Sequence, residues 1–199
     1  MSRFKVCLMA LSLGLVVATP AFGQRASRSR AMVGISAGAA TSDIEGGFIN
    51  TSSRWGFIGG VFGVIRTSRN SLVGLEANYV QKGGQDLAKV DYIDIPFLIG
   101  AIIPTDNDAI NFNFYTGIGL GIKVSCSEDE GAVLSDPCGR AKGTEWTWPI
   151  GLAFAVRNQS GKYFGLDGRY SIGISDAFDD SAARNRSWQF KALFGIPAG

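Results

Sequence analysis

Residues 110–124 read INFNFYTGIGLGIKV, and their hydropathy alternates with a period of two. One set is apolar: Phe112, Phe114, Ile118, Leu120, Ile122 and Val124. The other set is polar or has almost no side chain: Asn111, Asn113, Gly117, Gly119, Gly121 and Lys123. Successive side chains of a β-strand point to opposite faces, so this pattern predicts a strand with one apolar face and one polar or small face.

The same alternation recurs along the chain. The further runs are 32–40, 56–65, 72–82, 92–102, 145–157, 163–174 and 187–196. The first two of these are the weakest, because glycine and alanine interrupt their apolar faces. Together with the opening run they predict eight strands.

The connections between these runs alternate in length. Those at 66–70, 104–108 and 158–162 are short and contain the Asn, Asp, Ser, Pro or Gly residues that favour tight turns. Those at 41–55, 83–91, 125–144 and 175–187 are longer. In an up-and-down arrangement of strands, this alternation places all the long loops at one end.

Two barrels fit an even number of such strands. In a transmembrane barrel the apolar face points outward, and strands of about 9–11 residues cross the bilayer. In a soluble barrel of the lipocalin type the apolar face lines a ligand cavity. The non-apolar face carries few charges and many glycines, which suits a narrow lumen better than a solvated exterior. The predicted fold class is therefore all-β: an eight-stranded antiparallel up-and-down transmembrane β-barrel.

Aromatic residues lie near the ends of the predicted strands, where the girdles of such barrels form. Those near the long loops are Trp55, Phe57, Tyr79, Trp146, Trp148 and Trp188, and those near the short turns are Phe112, Phe114 and Phe164. Pro96 and Pro149 fall inside predicted strands and lack an amide donor, so we expect bulges or strand ends there.

The N-terminus has the pattern of a secretory signal peptide. Arg3 and Lys5 precede an apolar stretch at 6–18, and small residues follow at 21–23. We expect a signal peptide at 1–23 and one barrel domain at 24–199. Without Arg3 and Lys5 the chain has 17 basic and 17 acidic residues, so its charge gives no reason to expect nucleic acid as a partner.

Histidine is absent from the chain, which removes the commonest general base and the commonest metal ligand. Serines are plentiful, but no G-x-S-x-G motif occurs. We therefore expect no enzymatic activity, no cofactor and no metal site. The two cysteines beyond the N-terminal segment, Cys126 and Cys138, predict a disulfide in an exported protein.

Charged residues on the non-apolar faces are the main candidate site. They are Glu76, Asp94, Lys123, Arg157, Asp167, Arg169 and Lys191, with Glu145 on the same kind of face. An eight-stranded barrel has room inside only for side chains, and buried charges must pair. We expect a lumen charge network that plugs the barrel; the alternative is the selectivity lining of a narrow channel.

The stretches GLEANYVQKGGQ at 74–85 and VDYIDIPFLIGA at 90–101 resemble the PorT-like outer-membrane β-barrel family. The residues that carry the resemblance are Glu76, Tyr79, Lys82, Gly83, Tyr92, Asp94, Ile95 and Pro96. This resemblance covers about 30 residues of the two strands, and it implies a small barrel with the architecture of OmpA and OmpX in the outer membrane of a Gram-negative bacterium.

The predicted role is structural or surface-interacting. We expect a monomer in outer-membrane lipid whose outer loops, with the stapled loop at 125–144 foremost, contact a protein partner. A narrow pore for small solutes is the first alternative, and a soluble lipocalin-like carrier is the second.

Overall fold

The computed structural model describes residues 30–46, 49–107, 109–129, 136–179 and 182–198. The predicted leader at 1–23 lies outside these residues. None of the helices among them is long and apolar enough to cross a membrane.

The described residues form nine strands and one short helix. The strands are β1 (Ala31–Gly46), β2 (Ile49–Asn50), β3 (Arg54–Arg66), β4 (Ser71–Gly84), β5 (Ala88–Ile103), β6 (Ile110–Glu128), β7 (Thr144–Arg157), β8 (Tyr163–Gly173) and β9 (Arg184–Ala198), and helix α1 (Pro137–Arg140) lies between β6 and β7. The two-residue β2 pairs only with the end of β1. The eight long strands match the eight runs of alternating hydropathy.

The eight long strands form a closed antiparallel meander. Each pairs with the next along the chain, and β1 pairs with β9 over fifteen residues, which closes the sheet. Closure leaves none of the eight long strands as a sheet edge. The predicted eight-stranded antiparallel up-and-down barrel is confirmed.

The strands are strongly staggered around the barrel. The stagger is measured by stepping from each residue to its paired residue on the next strand. Starting at Ala31 on β1, the steps lead to Ile65, Val73, Ile99, Thr116, Ile150, Tyr170 and Trp188, and the last step returns to β1 at Thr41. One circuit thus returns to β1 ten residues further along, which is the shear of the barrel. Eight strands with this shear tilt by about 40° and enclose an interior only wide enough for side chains.

The two faces of every strand have opposite surroundings. Large apolar side chains point outward, with Trp55 at 70% and Leu166 at 65% exposure, whereas Glu145, Arg169 and Lys191 point inward and are at most 2% exposed. An exposed apolar wall around a buried polar interior is the arrangement expected of a barrel that lipid surrounds. The predicted direction of the faces is confirmed, and the lipocalin-type arrangement is excluded.

The three short connections at 66–70, 104–108 and 158–162 are tight turns as predicted, although residue 108 is not described. The prediction of a long loop at 83–91 is wrong. Strands β4 and β5 continue to Gly84 and Ala88, and only three residues connect them. Gly83 at φ +123° and Asp86 at φ +61° adopt the positive angles that let the chain reverse this sharply. The other long connections are also partly strand.

The prolines inside strands neither end a strand nor create a bulge. Pro96 pairs with Gly119 on β6. On its other side, the β4–β5 ladder has no pair at Pro96 or at Ile95, but the register of this ladder is the same before and after the gap. The β6–β7 ladder is interrupted in the same way at Pro149. Each proline lacks the amide donor that one neighbouring strand needs, so only that ladder is affected. The register shift of this sheet lies instead at Asp91/Tyr92.

Candidate functional site: the lumen and the outer loops

Four charged side chains meet in the middle of the lumen, and we call them the mid-lumen cluster: Glu76, Asp167, Arg169 and Lys191. Arg169 donates from Nη2 to Glu76 Oε1 at 2.7 Å and from Nε to Asp167 Oδ1 at 3.0 Å. Lys191 Nζ lies 2.8 Å from Glu76 Oε2 and 3.6 Å from Asp167 Oδ1. Two cations thus balance two carboxylates among side chains that are nowhere more than 10% exposed.

Neutral groups complete the bonding of this cluster. The Tyr115 hydroxyl donates to Asp167 Oδ2, and the Arg169 guanidinium lies 5.1 Å from the centre of the Tyr115 ring. Asn78 Nδ2 donates to Glu76 Oε2 at 2.8 Å. Because each charge is paired and further bonded, the cluster meets the conditions under which buried ions are tolerated.

A second group, the upper-lumen cluster, lies nearer the long loops and consists of Lys82, Asp94 and Glu145. Lys82 Nζ is 3.2 Å from Glu145 Oε2, 3.7 Å from Asp94 Oδ2 and 5.3 Å from the centre of the Tyr92 ring. One cation here faces two carboxylates. Asp94 Oδ1 and Glu145 Oε1 are buried without a hydrogen-bond partner, so this cluster is less completely paired than the mid-lumen cluster.

Glycines on the lumen face make room for these side chains. A Cβ at Gly151 would come within 2.5 Å of Tyr115 Oη and 2.8 Å of Arg169 Cβ. A Cβ at Gly119 would come within 2.4 Å of Thr147 Oγ1. At these two positions glycine is needed because a larger residue would clash with side chains that fill the lumen.

The residues predicted as one lumen network fall into separate places. Glu76, Asp167, Arg169 and Lys191 form the mid-lumen cluster, and Asp94 belongs to the upper-lumen cluster. Among the described residues, Lys123 contacts no carboxylate; it donates from Nζ to the Cys138 carbonyl at 3.2 Å and to that of Ala141. Arg157 lies at the short-turn end, in the lining of an open cavity.

The residues of the PorT-like resemblance also divide between the two faces. Those that point inward and are buried are Glu76, Lys82, Tyr92, Asp94 and Pro96. Ile95 points outward, and Tyr79, also on the outer face, donates its hydroxyl to Asp91 Oδ2 at 2.7 Å. The predicted network does not include Lys82 or Tyr115 and leaves Glu145 unpaired, yet all three bind charged groups in the lumen. The alternation at 72–82 places Lys82 on the same face as Glu76, but it does not indicate the partner of Lys82.

An apolar cluster closes the lumen at the long-loop end. This outer cap consists of Ile44, Leu87, Ala141, Ala177, Phe178 and Ala183, none of them more than 5% exposed. Its members come from all four connections at this end of the barrel. The alternating pattern of the strands does not reveal this cap; the isolated Phe178 among acidic residues is the only sign of it that we find in the sequence.

Backbone hydrogen bonds join the outer loops to one another. Ala141 and Phe178 form an antiparallel bridge between the third and fourth connections, and Lys142 N donates to Ala177 O at 2.9 Å. Ser53 and Gly84 form a bridge between the first and second connections. The described parts of the loops therefore form one packed layer rather than four independent segments.

The disulfide links Cys126 on β6 to Cys138 in helix α1, across a separation of 12 residues. It packs beside the buried apolar side chains at the top of the lumen, among them Val90 and Tyr92. Asp136 caps α1 by accepting a hydrogen bond from Gly139 N at 3.0 Å. The predicted disulfide is present, and it ties the third loop to the barrel wall. Among the described residues, no group of three or more acidic or cysteine side chains could hold a metal ion.

The fold and the interior define the class of the protein: a small closed β-barrel with an apolar outer wall and a polar, filled lumen. No family model and no curated protein matches the sequence. One similar solved structure is that of Ail, the attachment invasion locus protein of Yersinia pestis, with 14% sequence identity and a TM-score of 0.43. The structure of Ail in complex with the heparin analogue sucrose octasulfate is also similar, with 16% identity and a TM-score of 0.45. Both matches cover 84% of this chain and 99% of the Ail chain. The outer membrane protein OprG from Pseudomonas aeruginosa is also similar, with 14% identity and a TM-score of 0.49, and the match covers 84% of this chain and 95% of the OprG chain. Similarity at this level carries no argument about function.

Proposed function

We propose that the protein is an outer-membrane barrel of a Gram-negative bacterium that presents a rigid loop surface to a protein partner. The outer cap carries this proposal, because its six buried side chains join the described parts of the four connections into one packed layer. Loops that are ordered before binding lose less conformational entropy when a partner binds. The disulfide and the bridges between loops act in the same direction.

The membrane location rests on the outer wall. Large apolar side chains surround the barrel, and the exposed Trp55, Trp146, Trp148 and Trp188 lie toward the long-loop end of their strands. Aromatic girdles of this kind lie at the bilayer surface in outer-membrane barrels. We place the long loops outside the cell and the short turns in the periplasm. The resemblance to PorT-like barrels at 74–85 and 90–101 agrees with this location.

The interior favours a plugged barrel over the narrow-pore alternative. The mid-lumen cluster crosses the lumen, because its members belong to β4, β8 and β9, and Tyr115 joins it from β6. The outer cap closes the lumen above it. We infer that the barrel anchors the loops and does not conduct solutes, and that it requires no catalytic group for this role.

Whole-cell labelling tests the location and orientation. Asp179→Cys lies in the exposed fourth loop, and Ser160→Cys lies in the exposed third short turn. A membrane-impermeant maleimide should label Asp179→Cys in intact cells and Ser160→Cys only after lysis. The native cysteines beyond the leader form a disulfide and give no background. Equal labelling of both variants in intact cells would contradict the proposed orientation.

Conductance in planar lipid bilayers tests the plugged lumen. The wild-type barrel should give no regular channel events, and neither should Glu76→Ala combined with Arg169→Ala, because the upper-lumen cluster and the outer cap stay in place. Regular channel events from the wild-type barrel would favour the pore instead.

A further inference from the structure

The lumen is open at the short-turn end, where it widens into a cavity of about 690 Å³ that we call the vestibule. Four arginines line it: Arg30, Arg66, Arg69 and Arg157. Asn111 and Tyr163 belong to the same lining. The proposed surface role does not use this cavity.

The floor of the vestibule is a contact across the barrel. Arg66, the last residue of β3, reaches Asn111 on β6 and donates from Nη2 to its Oδ1. A smaller cavity of about 40 Å³ lies against the same side chains and shares Arg30, Arg66, Asn111 and Tyr163 with the vestibule. The Asn111 amide oxygen thus holds the Arg66 guanidinium in place without neutralising it.

The vestibule differs electrostatically from the rest of the lumen. Within the described residues, Arg66, Arg69 and Arg157 take part in none of the ion pairs, which all lie in the lumen clusters or near the outer loops. The described residues of the three short turns contribute one acid, Asp106, and a further cation, Lys162. Concentrating like charges around a concave, partly enclosed space raises the local potential and attracts anions.

We propose that the vestibule binds a phosphate group carried by a small soluble molecule. Guanidinium groups match phosphate oxygens with paired, charge-assisted hydrogen bonds, and several of them together suit a multiply charged anion. The vestibule lies at the short-turn end of the barrel and is lined by turn residues and by inward residues such as Asn111, so a soluble molecule can enter it along the barrel axis. Its volume exceeds that of inorganic phosphate and accommodates a phosphorylated metabolite. That this molecule is periplasmic rests on the proposed orientation.

Calorimetry on the purified, refolded barrel in octyl glucoside tests the site, because this detergent contains no phosphate. The probes are inorganic phosphate, glycerol 3-phosphate and the short-chain lipid dihexanoylphosphatidylglycerol. We expect saturable binding of the first two, tighter for glycerol 3-phosphate, and weaker binding at about 300 mM salt than at about 50 mM because added ions screen the charges.

The variant Arg66→Gln with Arg157→Gln should weaken binding at least tenfold. The control Arg184→Gln removes a single arginine from an exposed pair with Asp176 at the loop end and should leave binding unchanged. Retention of the heat-modifiable mobility of the folded barrel shows that each variant is folded.

Three outcomes would overturn the proposal: no saturable heat with either soluble phosphate, equal weakening by Arg184→Gln, or tighter binding of the lipid than of glycerol 3-phosphate. The measurement uses detergent-solubilised protein, in which orientation plays no part. Failure here would leave the proposed surface role intact, and failure of the labelling experiment would leave the anion site intact.

Discussion

The inner and outer walls of this barrel are built from alternate residues of the same strands, yet opposite rules apply to them. On β7, Leu152 points outward and is 58% exposed, whereas Glu145 is 1% exposed and bonded to Lys82. An outward residue contacts the surroundings of the barrel and no particular partner, so any large apolar side chain can occupy its position. An inward residue is selected by particular partners on other strands, so its replacement affects several side chains.

We expect the largest loss of stability when the mid-lumen cluster, whose charges balance, loses one of its charged side chains. Arg169→Met leaves Glu76 and Asp167 facing Lys191 alone, and an uncompensated buried charge costs about 3–5 kcal/mol. Unfolding of the vesicle-inserted barrel in urea, followed by tryptophan fluorescence, measures this loss.

The matched control for this prediction is Arg169→Met combined with Asp167→Asn. It removes one charge of each sign and leaves the Glu76–Lys191 pair at 2.8 Å, so it should recover a substantial part of the stability. If the double variant is less stable than Arg169→Met alone, the charge balance of the cluster is not what stabilises the inner wall.

The outer wall should respond to a charge according to depth. Leu152→Arg places a cation on the lipid face and should cost about 2–4 kcal/mol if the residue lies near the bilayer midplane. Val124 is also exposed, but it lies four residues beyond Leu120, the partner of Trp146, on the side of the outer loops. Val124→Arg should therefore cost about 0–1 kcal/mol. Equal costs at both positions in the same urea titration would contradict the assigned membrane level.

Glycines give the most direct comparison between the two walls. Gly151→Ala points a methyl group at Tyr115 Oη and Arg169 Cβ and should destabilise the barrel by about 1–3 kcal/mol through overpacking. Gly63 lies on the outer face of β3, and a Cβ there would meet nothing within 4 Å, so Gly63→Ala should be nearly neutral. The difference between the two midpoints of urea unfolding measures the effect, and a Gly63→Ala cost as large as that of Gly151→Ala would refute it.

The outer wall could be predicted from the sequence, but the pairings of the inner wall could not. Period two is a local property, and it identified the outward Phe112, Phe114 and Leu152 without reference to other strands. The partners of Glu76 lie 93 and 115 residues away along the chain. Which inward residues share a level depends on the shear of ten residues, and no short stretch of sequence encodes that value. Arg157 illustrates the consequence, since it points inward as predicted but lies in the vestibule, below the clusters.

The extent of the strands was equally hard to predict. The alternating run on this strand ends at Lys82, but β4 continues to Gly84, and its last three residues, Lys82 to Gly84, are all buried. The outer cap escaped prediction for a related reason. Leu87 and Phe178 are isolated in sequence, and they form a core only when the loops meet.

The smallest effect is expected for ion pairs that belong to neither wall. Arg184 and Asp176 lie 3.7 Å apart near the loop end, with side chains 53% and 39% exposed. Exposed pairs of this kind contribute about 0–1 kcal/mol, and salt screens them. Arg184→Gln should therefore lower the urea midpoint slightly at low salt and not measurably at about 1 M salt, where the Debye length falls to about 3 Å.

The loss of stability caused by Arg169→Met should persist at the same salt concentration, because water and ions do not reach the mid-lumen cluster. A loss for Arg169→Met that disappears at 1 M salt would mean that solvent enters the lumen, and the contrast between buried and exposed pairs would then be wrong.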